Sequence, residues 1–269
     1  MSTLPSTIRP HVRRAPAGFS LVEMMVALAI ALFLIAGMAL ILQNTKSTYV
    51  AETGLTQLED NERLAMTMIA DVIQTAGYFP DPAHNSPTTA LPASPDFPNP
   101  ENAGDTDTNL AAGTNTQGDT ISVRYAAGPT DSVMNCLGQT NTAAVAPQLS
   151  WENTFAVDAA GELTCQVWDS KSNTTTVAAP LVTGLATGAG IKSISLLYGV
   201  NTGTAANGTC VDTYMNAAEV TAAADWPNVC TVSVSLVFKN PVPPADGSRP
   251  TITFTRVIAL MSRAGVNNS

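Results

Sequence analysis

One carboxylate stands where a charge is costly. Glu23 is the fifth residue of the run Phe19–Leu42, 24 residues that contain no other ionisable side chain. A charge at the centre of a helix in lipid costs about 2.5–3.5 kcal/mol, so Glu23 either reaches back to the headgroups or waits for a cationic partner. The other residues equipped for chemistry are four cysteines, Cys136, Cys165, Cys210 and Cys230, all beyond the run. They contain no C-x-x-C pair, which argues against a zinc or thioredoxin-like site. An even count in an exported chain reads as two disulfides, with three pairings possible in principle. Cys136–Cys165 and Cys210–Cys230 close the smaller loops and lie beside strand patterns. His84 is the one histidine beyond the run, so a multi-histidine metal cluster cannot form. Gly184, Gly188 and Gly190 are wrongly spaced for a phosphate cradle. Asp105, Asp107 and Asn109 begin like a calcium loop, but Leu110 and Thr116 stand where glycine and glutamate are required. No catalytic constellation, metal or cofactor is expected, and the chain does not read as an enzyme.

The elements that must position Glu23 follow from the pattern around it. At about 1.5 Å per residue the run is roughly 36 Å of helix, enough to cross a bilayer and too long for a secretory signal core. Residues 1–18 carry Arg9, Arg13 and Arg14 and no acid, while the remainder holds 9 basic and 21 acidic groups. The positive flank keeps residues 1–18 cytoplasmic and sends the acidic part outward, and an acidic balance argues against a nucleic-acid partner. Leu55, Leu58, Ala65, Ile69, Val72, Ile73 and Ala76 recur at three and four, so the helix continues amphipathically until Gly77 and Pro80 stop it. Residues 78–118 are rich in proline and read as a surface loop. From 119 on the period is two: Ile121, Val123 and Tyr125; Ile194, Leu196, Tyr198 and Val200; Val232, Val234, Leu236 and Phe238; Ile252, Phe254, Ile258 and Leu260. The expected class is α+β, a long N-terminal helix packed on a C-terminal antiparallel sheet. Trp151, Trp168 and Trp226 are read as core.

Gly18-Phe19-Ser20-Leu21-Val22-Glu23, behind a short basic leader, resembles the prepilin cleavage motif of type IV pilins and type II secretion pseudopilins. The resemblance implies cutting between Gly18 and Phe19 by a membrane-embedded prepilin peptidase and N-methylation of Phe19. It also implies pairing of Glu23 with the Phe19 amine of a neighbouring subunit. Gln57-Leu58-Glu59-Asp60-Asn61-Glu62-Arg63-Leu64-Ala65, Ala76-Gly77-Tyr78, Asp119 to Tyr125, Cys136-x-Gly138 and Leu163-x-Cys165 are similar to PilW-type minor pilins. Two positions depart from the family. Leu40 stands where major pilins often carry a helix-breaking proline, and Met261-Ser262-Arg263 replaces an Arg-Asn ending. The implied organisation is leader 1–18, transmembrane helix 19–42, amphipathic periplasmic helix 43–77, proline-rich loop 78–118 and a disulfide-bonded β-rich head 119–269, in a type IV pilin-like fold. The implied role is a minor pilin that primes type IV pilus assembly near the tip, supporting twitching motility and adhesion. Its partners would be the peptidase, other minor pilins, the major pilin and a large tip adhesin. It would sit in the inner membrane first and at the pilus tip after assembly. The rivals are a minor pseudopilin of a type II secretion system, a pilus-borne adhesin and an uncleaved single-span enzyme.

Overall fold

The computed structural model describes residues 18–98, 109–129, 131–142, 148–183, 190–203, 210–242 and 250–262. The chain divides into two units, Met1–Val50 and Ala51–Ser269.

In the first unit, helix α1 (Leu21–Gln74) begins two residues after Phe19. Its apolar part is exposed throughout, and by length and composition it can cross a membrane. Polar residues near position 45 do not break it. The Thr45 hydroxyl donates to the Ile41 carbonyl at 2.9 Å, and the Thr48 hydroxyl to that of Asn44 at 3.0 Å, satisfying themselves on the preceding turn.

In the second unit, the rest of α1 buries Leu58, Ala65, Met66, Ile69, Ala70, Val72 and Ile73, the three-and-four stripe a core-facing helix requires. Leu55 departs from the expected stripe and is exposed. Regular helix ends at Gln74, and Gly77 turns the chain at φ +74°, a conformation that favours glycine. The Gly77 N–H then donates to the Arg124 carbonyl at 2.9 Å, and the Ala126 N–H to the Tyr78 carbonyl at 2.8 Å. The helix end is thereby pinned to a strand.

The strands are β1 (Leu110–Asn115), β2 (Gly118–Ala127), β3 (Leu149–Val157), β4 (Leu163–Asp169), β5 (Thr174–Thr175), β6 (Ala179–Val182), β7 (Ile191–Val200), β8 (Thr213–Met215), β9 (Val229–Lys239) and β10 (Thr251–Ala259). The spatial order is β10-β9-β7-β2-β3-β4-β5, with β1 on β2, β6 on β4 and β8 on β7. The expected all-antiparallel sheet is corrected in one place: β2 and β7 run parallel, meeting at Gly118 and Ile194. Hairpin-linked strands must be antiparallel, whereas a pair joined by a long crossover is free to be parallel, and more than sixty residues separate β2 from β7. Gly118 sits at φ +122°, and a Cβ there would overlap the Ile194 carbonyl, so only glycine permits this approach. The sheet is therefore mixed and joins two antiparallel halves, β1–β6 and β7–β10.

One face closes a core with α1. Ile121, Val123, Tyr125, Phe155, Ile194, Leu196, Tyr198, Val232, Leu236 and Phe238 lie in one cluster with Leu58, Ile69 and Ile73. Two short helices, α2 (Pro87–Ala90) and α3 (Ala217–Ala223), decorate the sheet. α3 opens with a capping box, Asn216 with Glu219. Stretch 78–118 is not all loop. β1 lies within it, and Ala90, Leu91 and Phe97 are buried, because the second face of β2 offers them a seat.

Candidate functional site

The N-terminal site is built by the first turn of α1. Ser20 precedes the helix, and its carbonyl accepts the Met24 N–H at 3.1 Å. Glu23 reaches back three residues, and its Oε2 accepts the Ser20 N–H at 3.3 Å. This is half of a capping box, and the helix's positive end favours the anion. The carboxylate is thus partly satisfied within its own chain. Phe19 is 84% exposed, and among the described residues nothing lies within 4 Å of a Cβ built on Gly18. From Leu21 to Leu42 every side chain is exposed. Such a surface requires lipid or other helices around it.

Cys136 is bonded to Cys165 and Cys210 to Cys230, the pairing that closes the smaller loops. The first lies in the β1–β6 half and the second in the β7–β10 half. Among the described residues no group of three or more His, Cys, Asp or Glu could hold a metal ion. His84 is a surface residue bonded to Asp81 at 2.9 Å. Asp105 and Asp107 lie outside the described residues. Asn109 is buried, and its Oδ1 accepts from Arg124 Nε at 2.8 Å. Trp151 and Trp168 are buried, Trp151 edge-on to Tyr125 at 6.0 Å, and the half-buried Trp226 packs edge-on against Tyr198 at 4.9 Å. Burial pushes the hydroxyls of Tyr125 and Tyr198 well above the usual tyrosine range.

The outer face of β2 and β3 carries a polar seat that sequence reading did not find. Arg124 has no exposed surface. Beyond Asn109 it donates through Nη1 to the Pro92 carbonyl at 3.2 Å, and it stacks 4.6 Å from the centre of the Phe97 ring. Opposite it in register stands Glu152, 4% exposed, whose Oε2 accepts the Asp96 N–H at 3.1 Å. The Ser122 hydroxyl donates to Asp96 Oδ2. Burial raises the Glu152 carboxyl above the ordinary range, the Asp96 N–H favours the anion, and the Asp96 charge raises the carboxyl further. These groups clamp the segment carrying Pro92, Asp96 and Phe97 onto the sheet. In sequence they look like the outward members of an alternating strand, and only the covering segment makes them interior.

Residues 13–39 match the prokaryotic N-terminal methylation motif, a stretch that contains Gly18, Phe19 and Glu23. Residues 152–258 match PilW, the type IV pilus-assembly protein W, over most of the sheet from β3 to β10. Both are structural pilus components rather than enzymes. No curated protein and no solved structure matches the chain. One match lies on the apolar helix and the other on the sheet, and together they support a PilW-type pilin.

Proposed function

We propose that this chain is a minor pilin that primes type IV pilus assembly and is incorporated near the tip. The observation that carries the reading is the apolar half of α1, exposed on all sides and bearing one carboxylate in its first turn. The fold is a type IV pilin-like helix and sheet. A prepilin peptidase cuts between Gly18 and Phe19 and the new amine is methylated, which leaves it basic. Before assembly the chain sits in the inner membrane with residues beyond the helix in the periplasm. Glu23 leaves its Ser20 N–H, or shares it, to pair with the Phe19 amine of a neighbour. The charge is fully satisfied only in the correct axial register, so its burial becomes an assembly signal. Leu40 in place of a helix-breaking proline favours a low-copy subunit over the bulk one.

The test has three readings. Intact mass of the membrane-extracted protein should equal residues 19–269 plus one methyl group. Glu23→Leu should insert and be cleaved, yet be missing from sheared pili. Deleting the gene should sharply lower pili per cell, with partial recovery when retraction is also blocked, because slow nucleation is then no longer outrun by disassembly. Unchanged counts in both backgrounds would falsify initiation. Normal pili with weak surface attachment would point to an adhesin, and normal pili with a secretion defect to a pseudopilin.

A further inference from the structure

Among the described residues the sheet ends in an open edge, β10. β10 is bonded to β9 in an unbroken antiparallel register from Thr251 opposite Lys239 to Ala259 opposite Thr231. The Asn240 N–H donates to the Pro250 carbonyl at 3.1 Å and the Leu260 N–H to the Cys230 carbonyl at 2.9 Å. These bonds set the phase of the ladder, since directly opposed residues alternate between bonded and non-bonded pairs. Even-numbered residues of β10 bond to β9. Odd-numbered ones, Thr251, Thr253, Thr255, Val257 and Ala259, turn their N–H and C=O groups away from it. All five are exposed, Val257 by 53%, and no described backbone group pairs with them on that side. The row closes only past the strand's end, where the Met261 N–H, the next in phase, donates to the Gln74 carbonyl of α1 at 3.3 Å. There the edge runs into an open groove of about 570 Å³ lined by Asp71, Gln74, Tyr78, Val133, Met261 and Ser262.

We propose that the β10 edge receives an added strand from another subunit of the same pilus. A row of free donors and acceptors two residues apart is matched by one chemistry, an extended polypeptide backbone. Native sheets commonly blunt such an edge with proline, charged side chains or a bulge, and β10 carries no proline, no bulge and a single charge. Its one charged side chain is the exposed Arg256, with no carboxylate within ion-pair distance among the described residues. The incoming strand therefore carries an acidic residue beside Arg256 and an apolar residue at the end that reaches the Met261 groove. A second copy fits less well: it brings another Arg256 and, with residues 1–18 removed, 9 basic against 21 acidic groups. The inference rests on the pilus reading above, because that reading supplies the partner.

Val257→Pro is the informative variant. The Val257 N–H points away from β9, so proline removes an edge donor and no bond of the existing ladder. The full chain in detergent is titrated with each purified full-length subunit of the same pilus, and amide hydrogen exchange is read across β10. One subunit should slow exchange at Thr253, Thr255 and Val257. Val257→Pro should weaken its binding about tenfold or more, and Arg256→Glu severalfold, with both variants melting as wild type does. Protection by no subunit, Val257→Pro binding as wild type does, or protection that grows with the chain's own concentration alone would each overturn the proposal. The deletion strain separates the two levels. If deletion leaves pili unchanged, the pilus reading fails. If deletion removes them and Val257→Pro restores them in full at normal protein level, the added strand alone fails.

Discussion

Replacing Arg124 by methionine should loosen the clamp on the outer face. Arg124 is fully buried and donates to Asn109 Oδ1 at 2.8 Å and to the Pro92 carbonyl at 3.2 Å, while stacking on Phe97. Hydrogen bonds from a charged donor are worth about 1.5–3 kcal/mol each, and a desolvated cation–π contact about 2 kcal/mol. Against this stands the desolvation of the guanidinium, which methionine avoids. The variant, however, leaves the Asn109 and Pro92 oxygens facing a thioether, and an orphaned buried acceptor costs about 1–3 kcal/mol. The expected net loss is about 3–4 kcal/mol, from two orphaned acceptors and the lost ring contact less the guanidinium's desolvation. Urea unfolding of the full chain in detergent, followed by tryptophan fluorescence, gives the number. Limited proteolysis gives the place, because cleavage within 86–98 should accelerate before cleavage elsewhere. A loss below about 1 kcal/mol with unchanged proteolysis would refute the claim that Arg124 holds this segment.

Two further outcomes follow from the same head. Burial raises the Glu152 carboxyl, so the native chain holds that proton more tightly than the unfolded chain. Stability from this group is therefore lost as pH rises from the ordinary glutamate value of about 4.3 through the raised one. Glu152→Gln should flatten that part of the stability-versus-pH curve and match or exceed wild type at pH 7. A curve of unchanged slope would assign the titration elsewhere. Removing either disulfide by a paired cysteine-to-alanine change, Cys136 with Cys165 or Cys210 with Cys230, should cost about 3–4 kcal/mol in the chain-entropy model, given separations of 29 and 20 residues. Urea midpoints report this directly, and losses below about 1 kcal/mol for both pairs would reject it.

What sequence could show depended on whether a residue's environment was local. The alternation of Val232, Val234, Leu236 and Phe238 is a property of one strand, and all four are buried. The helix stop at Gly77 and the core stripe from Leu58 to Ala76 are likewise local. β1 escaped because Leu-Ala-Ala-Gly-Thr-Asn reads as turn material, and its strand state comes from pairing with β2. α3 escaped because Ala-Ala-Glu-Val-Thr-Ala-Ala offers a single buried residue, Val220. The parallel join at Gly118 and Ile194 depends on segments far apart in sequence, and no periodicity carries that information. Arg124 and Glu152 look solvent-facing until the segment that covers them is placed. At the N-terminus the motif was fully legible, yet the bond from the Ser20 N–H to Glu23 required coordinates.

The narrow join between the two halves of the sheet has a mechanical consequence. Each disulfide ties a loop to a strand within one half, Cys136 to Cys165 on β4 and Cys210 to Cys230 on β9, and neither crosses to the other. The backbone bonds across are few, among them Ile194 N–H to the Gln117 carbonyl at 3.2 Å and Ile191 N–H to the Gly161 carbonyl at 2.9 Å. One core cluster still ties both halves to α1, so the expected outcome in hydrogen exchange is that the boundary strands open before either cross-linked half. Tension applied across the head should part the sheet along that boundary, while each cross-linked half keeps its fold.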